Sequence, residues 1–141
     1  MINSFRNEYR FLSNFYPAQV KLGNLVFETV ENAYQSAKCL HDSDRLQFQN
    51  ITPGQAKRLG CEVDLRPDWD NIRVFIMYTL VQDKFQHKEL KLALLNTGNQ
   101  ELVEGNTWSD TFWGRCKGVG TNMLGEILMS VRRSLREEEI I

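Results

Sequence analysis

Glu31, Gln35 and Lys38 stand at i, i+4 and i+7, a spacing that puts a carboxylate, an amide and an ammonium on one face of a helix. Such a row is either a solvated polar face or a carboxylate and an ammonium presented into a cleft. Glu31 falls in the first helical turn, where the helix dipole favours its ionised form. A second cluster, Trp108-Ser109-Asp110-Thr111-Phe112-Trp113-Gly114, holds two of the chain's three tryptophans in a stretch that otherwise reads as loop. Loop tryptophans plug a core or bind something; an aromatic face stacks on a nucleobase, and Asp110 beside it would position water or stabilise positive charge. The third cluster is Lys117-Gly118-Val119-Gly120-Thr121-Asn122. It is either an ordinary glycine turn with Thr121 or Asn122 as N-cap, or a set of backbone N–H groups suited to a phosphate at a helix start. Its glycine spacing is neither a Rossmann fingerprint nor a Walker A loop. Asn14, Phe15, Arg58, Arg66 and Trp69 are secondary candidates, each with a plain structural alternative; arginine grips phosphate bidentately. Taken together, an aromatic clamp, a phosphate turn and carboxylates suggest a nucleotide-like ligand. Cleavage at an anomeric carbon passes through an oxocarbenium-like state, which calls for a nearby carboxylate, a positioned water and an acid for the leaving group.

These residues need elements to hold them. Val20, Leu22, Leu25 and Phe27 flank Gly23-Asn24 and read as a β-hairpin. Thr29 is placed to cap a helix of about 12 residues with Val30, Ala33, Tyr34, Ala37 and Leu40 toward the core. Thr52-Pro53 with Gln55 is a capping-box start, and Gly60 is placed to end that short helix. The longest periodic segment runs from Trp69 to about Gln86, with Ile72, Phe75, Ile76, Thr79 and Leu80 as its expected buried stripe. A helix over Glu89–Leu95 stops near Gly98. Residues 99–120 read as loop with one short strand at Glu101–Glu104, and a last helix from about Asn122 buries Leu124, Ile127, Leu128 and Val131. The expectation is a mainly helical α+β fold in one domain over 1–141, with its core at 5–135 and a frayed tail at 136–141.

Length and composition narrow the function. The chain has 141 residues, 42% hydrophobic and 25% charged, which is globular composition. Seventeen Lys+Arg against 18 Asp+Glu give a net charge of -1, so no global positive field draws it to nucleic acid. The polar N-terminus is not a signal peptide, and no apolar run has the roughly 18 residues needed to span a bilayer. Cys39, Cys61 and Cys116 are odd in number and widely spaced, which fits reduced thiols in a cytoplasmic protein rather than a disulfide framework or a zinc site. His41 and His87 form no metal-binding pattern. Carboxylates and lysines are the better candidates for chemistry, and neither a metal nor a cofactor is expected.

The ordered motifs go further. Phe11-Leu12-Ser13-Asn14-Phe15-Tyr16-Pro17, Glu31-Asn32-Ala33-Tyr34-Gln35-Ser36-Ala37-Lys38, Arg66-Pro67-Asp68-Trp69-Asp70, Lys84-Phe85, Leu102-Val103-Glu104, Asp110-Thr111-Phe112-Trp113-Gly114 and Gly120-Thr121-Asn122-Met123-Leu124-Gly125 together resemble the NADAR (YbiA-like) superfamily over roughly Phe5 to Leu135. The resemblance implies a compact, mainly helical domain with N-glycosidase activity. Members of that superfamily hydrolyse phosphoribosylamino-pyrimidine intermediates of riboflavin synthesis, and others release ADP-ribose from modified guanine in nucleic acid. Carried over by motif, Glu31 matches the key acidic residue and Lys38 the helix lysine that meets the ligand. Trp69, Asp110 and Trp113 match other active-site positions, Asn122 the asparagine before the last helix, and Asn14 and Phe15 the opening motif lining the same pocket. Arg66, Gly114, Gly118 and Gly120 complete the expected substrate-binding set. Two departures stand out: Asn32 where many members have His, and Arg115-Cys116 where many have an acidic or glycine pair.

In the expected mechanism Trp113, with Trp69, stacks the base and the turn at Gly118–Asn122 receives phosphate. Glu31 or Asp110 stabilises the ribosyl cation and directs water, while Lys38 holds the ribose or the departing group. The partner is a small nucleotide-like substrate or ADP-ribosylated nucleic acid, and no membrane is involved. Docking on nucleic acid would fall to a local cluster such as Arg6, Arg10, Arg58, Arg115 and Lys117, with an affinity that drops steeply as salt rises. The alternative is a non-catalytic ADP-ribose or NAD-derivative binding module built from the same stacking and phosphate groups. The oligomeric state is not legible in the sequence.

Overall fold

In the computed structural model, which describes residues 1–140, the chain turns at Gly23 with φ +59°. Val20–Leu22 (β1) pairs antiparallel with Leu25–Phe27 (β2), in the register Val20 to Phe27 and Leu22 to Leu25. Positive φ is open to glycine without steric cost, which is why the hairpin closes there. The chain divides into two compact units, Asn14–Lys84 in one and Met1–Ser13 with the chain from Phe85 onward in the other.

In the first unit the hairpin leads to helix α1, Val30–Ser36, whose N-cap Thr29 accepts a hydrogen bond from Asn32 N–H. The helix is shorter than the expected 12 residues. Beyond it the backbone tightens into three-residue bonds (Lys38 N–H to Gln35 O, Cys39 N–H to Ser36 O), and Lys38 O accepts Arg66 N–H. Leu40, expected in the core, therefore lies past the helix end and is 52% exposed. A short helix α2, Asp42–Arg45, runs into a 3₁₀ turn at Leu46–Phe48. Helix α3, Pro53–Gly60, starts on the expected capping box: Thr52 Oγ1 accepts Gln55 N–H and Gln55 Oε1 accepts Thr52 N–H.

Helix α4, Trp69–Lys84, lies where its periodicity places it, but the buried face differs. Trp69, Met77, Leu80, Val81 and Lys84 are buried, whereas Phe75 is 70% exposed and Thr79 is exposed. Apolar side chains surround this helix from Ile72 to Val81, so no single phase of the period stands out in the sequence.

In the second unit a 3₁₀ turn covers Asn7–Leu12, and helix α5, Lys88–Asn96, closes on Gly98 at φ +66°. The strand expected at Glu101–Glu104 is reduced to a bridge between Leu102 and Ile2; Gly105–Asn106 (β3) pairs parallel with Arg115–Cys116 (β4) instead. Helix α6, Met123–Ile140, buries Leu124, Ile127, Leu128, Val131 and Leu135. It continues through most of the stretch expected to fray, where Arg136 donates to Asn99 Oδ1 and Gly98 O while Glu137, Glu138 and Glu139 are exposed. Residue 141 lies outside the described residues. The fold is α+β and mainly α, as the sequence implies, and no helix among the described residues is long and apolar enough to cross a membrane.

Candidate active site

All seven residues of α1 are buried, so the Glu31–Gln35–Lys38 row is not a solvated face. Glu31 is 7% exposed and Gln35 6%, and Lys38, one residue past the C-cap, is half-buried. Gln35 Nε2 donates to Glu31 Oε1 at 3.3 Å, and Lys38 Nζ donates to Gly60 O at 3.1 Å. Burial pushes the Lys38 ammonium below its ordinary pKa; the negative forms of Cys61, Glu31 and Cys39 oppose that shift. A carboxylate taken out of water is costly unless it is paired and hydrogen-bonded. Here it accepts the Gln35 amide, and a cation lies just past the end of the same helix.

The same unit gathers the opening motif to this row. Asn14 O accepts Glu31 N–H at 3.1 Å, while Asn14 Nδ2 lies 3.5 Å from Met77 Sδ. Phe15 is 42% exposed. Trp69 packs against Tyr34, with ring centroids 5.1 Å apart, and is 95% withdrawn from solvent, so little of its face is open to a base. Arg66, a candidate phosphate grip, is engaged by Asp68 through Nε–Oδ1 at 2.7 Å and Nη2–Oδ2 at 3.2 Å. A cleft of about 400 Å³ beside α2 takes in Cys39, His41, Asp44, Glu62, Asp64 and Arg66, but neither Glu31 nor Lys38. With three carboxylates in its wall and its arginine paired, it is poorly suited to phosphate. Asn32 donates to Phe48 O and Ile51 O at 2.9 and 3.0 Å and so ties the following loop to α1.

The other expected residues lie in the second unit. Asp110 Oδ1 accepts the N–H groups of Phe112 and Trp113 at 3.1 and 2.9 Å, and so shapes its own loop. Trp113 is half-buried and meets Phe112 edge-on, with centroids 4.9 Å apart. Arg115 is paired with Glu101 at 3.0 Å. At the C-terminal side of the expected phosphate turn the backbone donors are occupied: the N–H groups of Thr121, Asn122, Met123 and Leu124 go to the carbonyls of Thr111, Gly114, Phe112 and Trp113. The start of α6 is thus filled by protein carbonyls. Gly114 and Gly120 are needed for this close packing, since a Cβ on either would come within 2.2 Å of a backbone oxygen; only Gly118 faces open space.

Asn122 is fully buried, at φ +58°. Its Oδ1 accepts Glu104 N–H and its Nδ2 donates to Leu102 O, both at 2.9 Å, so the side chain splices the loop rather than offering itself to a ligand. Asn122→Ala strands one buried and one part-buried backbone group and should cost about 2–5 kcal/mol of stability. Urea unfolding monitored by circular dichroism checks this; a loss below about 1 kcal/mol would contradict the splice.

Residues 3–136 match the family model for the NADAR domain. The chain belongs to the NADAR family. This NADAR domain is similar to the N-glycosidase Npun_R5314 of Nostoc punctiforme, with 38% identity over 91% of this chain and 86% of that protein. It is similar to the N-glycosidase YbiA of Escherichia coli, with 33% identity over 96% of this chain and 88% of the relative. It also matches the riboflavin biosynthesis protein VVA0006 of Vibrio vulnificus, with 40% identity over 90% of this chain, but spans only 36% of that longer protein. The NMR structure of E. coli YbiA superimposes with a TM-score of 0.85 at 30% identity, covering 99% of this chain and 89% of the other. Family and fold therefore agree with the resemblance carried by the motifs.

Proposed function

We propose that this NADAR domain is an N-glycosidase that hydrolyses the bond between a ribosyl anomeric carbon and the nitrogen of a nucleobase-like amine. The observation that carries the reading is the burial of Glu31 on α1 with Lys38 just past the end of that helix, in a chain whose full-length relatives are named N-glycosidases. The C1′–N bond breaks with its electron pair passing to nitrogen, and water adds its oxygen to C1′ while a proton reaches the leaving amine. The positive charge that builds on the ribosyl ring is stabilised by the Glu31 carboxylate, which also orients the water. The Lys38 ammonium carries three donors, one of which is held by Gly60 O; the others serve the sugar or the departing nitrogen. Asn14 and Phe15, joined to α1 through the Asn14 carbonyl, line the approach to Glu31. In the second unit Asp110 Oδ1 accepts the Trp113 N–H and so fixes the loop that carries that ring.

The substrate favoured is a phosphoribosylamino-pyrimidine, because a relative 40% identical is named a riboflavin biosynthesis protein. The setting proposed is the cytoplasm, where thiols stay reduced. The purified protein is offered two substrates without added metal: the phosphoribosylamino-pyrimidine, and single-stranded DNA carrying ADP-ribosylated guanine. Ribose 5-phosphate released from the first is the expected result. ADP-ribose released only from the second would move the substrate to modified nucleic acid and leave the bond class standing.

A further inference from the structure

We infer that Gly60 and Gln35 are positioning residues for Glu31 and Lys38, and that position 60 is a glycine because its missing side chain is where the Gln35 amide sits. The catalytic half of this inference rests on the N-glycosidase reading; the structural half does not. Gly60 is buried at the last position of α3, and no left-handed φ calls for glycine there. A Cβ at this residue would stand 1.8 Å from Gln35 Oε1 and 2.7 Å from Gln35 Cδ. The Gly60 carbonyl accepts Lys38 Nζ at 3.1 Å, and the seated amide turns its Nε2–H to Glu31 Oε1 at 3.3 Å. One residue of α3 thereby sets the position of both charged groups on the row. The ionisable groups that bear on Lys38 are Cys61, Glu31 and Cys39.

Two unfavourable choices coincide at this contact. Gln35 Oε1 is buried without a hydrogen-bond partner, which costs stability. Glycine inside a helix is also less favourable than alanine. An alanine at 60 against an apolar side chain at 35 would pack the same space with neither cost, but would take the Gln35 amide donor away from the carboxylate. Holding Glu31 is what the polar pair achieves and the apolar pair does not.

The test compares wild type, Gly60→Ala, Gln35→Ala and the double variant by kcat and KM, and by the ¹³C NMR titration of the Glu31 carboxyl. Gly60→Ala alone is expected to lower kcat about 10–100-fold with KM nearly unchanged. It should also raise the midpoint of the Glu31 titration, because the donor is pushed aside. Gln35→Ala should raise that midpoint as well. In the Gln35→Ala background the added Gly60→Ala should change neither readout, since Oε1 and Cδ are gone and the remaining Cβ stands 3.2 Å away. If Gly60→Ala fails to fold while the double variant folds, the same coupling appears as stability and supports the inference. Equal effects of Gly60→Ala in both backgrounds, or an unmoved Glu31 titration in the folded single variants, would overturn it. The titration needs no turnover, so a wild type that cuts neither substrate refutes the N-glycosidase reading while the positioning of Glu31 is still decided.

Discussion

Glu31→Gln is expected to lower kcat by about 10²–10⁴-fold while ligand affinity stays within a few-fold of wild type. The amide has the carboxylate's size and shape, so α1 keeps its packing around position 31, which is 93% withdrawn from solvent. What disappears is the negative charge, and that charge matters most when the ribosyl ring becomes cationic. A loss confined to kcat marks an interaction made in the transition state, whereas a rise in KM alone would mark substrate binding. The variant also changes Lys38. Glu31 supports the protonated lysine against the burial that lowers its pKa, so its removal lets the Lys38 pKa fall further. Any residual activity that needs the ammonium should therefore lose its alkaline limb at lower pH than wild type. Stopped assays from pH 6 to 10, with melting temperatures as a control for folding, read both effects.

The stability of Lys84→Met relative to wild type is expected to be highest at and below neutral pH and to fall as pH rises. Lys84 is 1% exposed on α4, with Nζ 5.8 Å from the centre of the Tyr16 ring, and burial pushes its pKa down to about 7 from 10.5. Below about pH 7 the lysine is charged in both the folded and the unfolded chain, and the folded state carries the whole of the burial cost that lowers its pKa. Between about 7 and 10.5 the folded lysine is neutral while the unfolded one still binds a proton, so wild-type stability rises with pH across that window. Above it the penalty is gone. Methionine has no proton to lose. Its advantage over lysine should shrink by about 1.4 kcal/mol for each pH unit through the window. Urea unfolding of both proteins at pH 6, 7.5 and 9 measures the difference; a gap independent of pH would contradict the burial account.

Local signals in the sequence carried through wherever one residue type has one job. Gly23-Asn24 closes the hairpin, Thr29 caps α1, Thr52 and Gln55 make the capping box, and Gly98 ends α5. The buried face of α4 was not legible, because apolar side chains ring the helix and only tertiary packing selects Met77, Val81 and Lys84 over Phe75. Nor could spacing tell whether Glu31, Gln35 and Lys38 face water; the same i, i+4, i+7 pattern serves a surface row or a buried one. Two glycines do more than their local signals say. Gly120 lets the loop close until carbonyls fill the start of α6; Gly60 ends α3, as expected, and also makes room for an amide. Both depend on contacts with residues distant in sequence, which a local reading does not contain.

The central claim is that the chain cuts an N-glycosidic bond and does not merely hold it. One sample tests this most directly. Wild-type protein is titrated with the phosphoribosylamino-pyrimidine and with ADP-ribosyl-guanine DNA, binding is followed by calorimetry, and the cell contents are then quenched and analysed by mass spectrometry. The account predicts that wild type yields a free ribosyl product and a free amine in equal amounts, while Glu31→Gln binds and returns its ligand whole. Saturating binding by wild type with both ligands recovered intact would contradict it and leave a reader of ribosyl nucleotides.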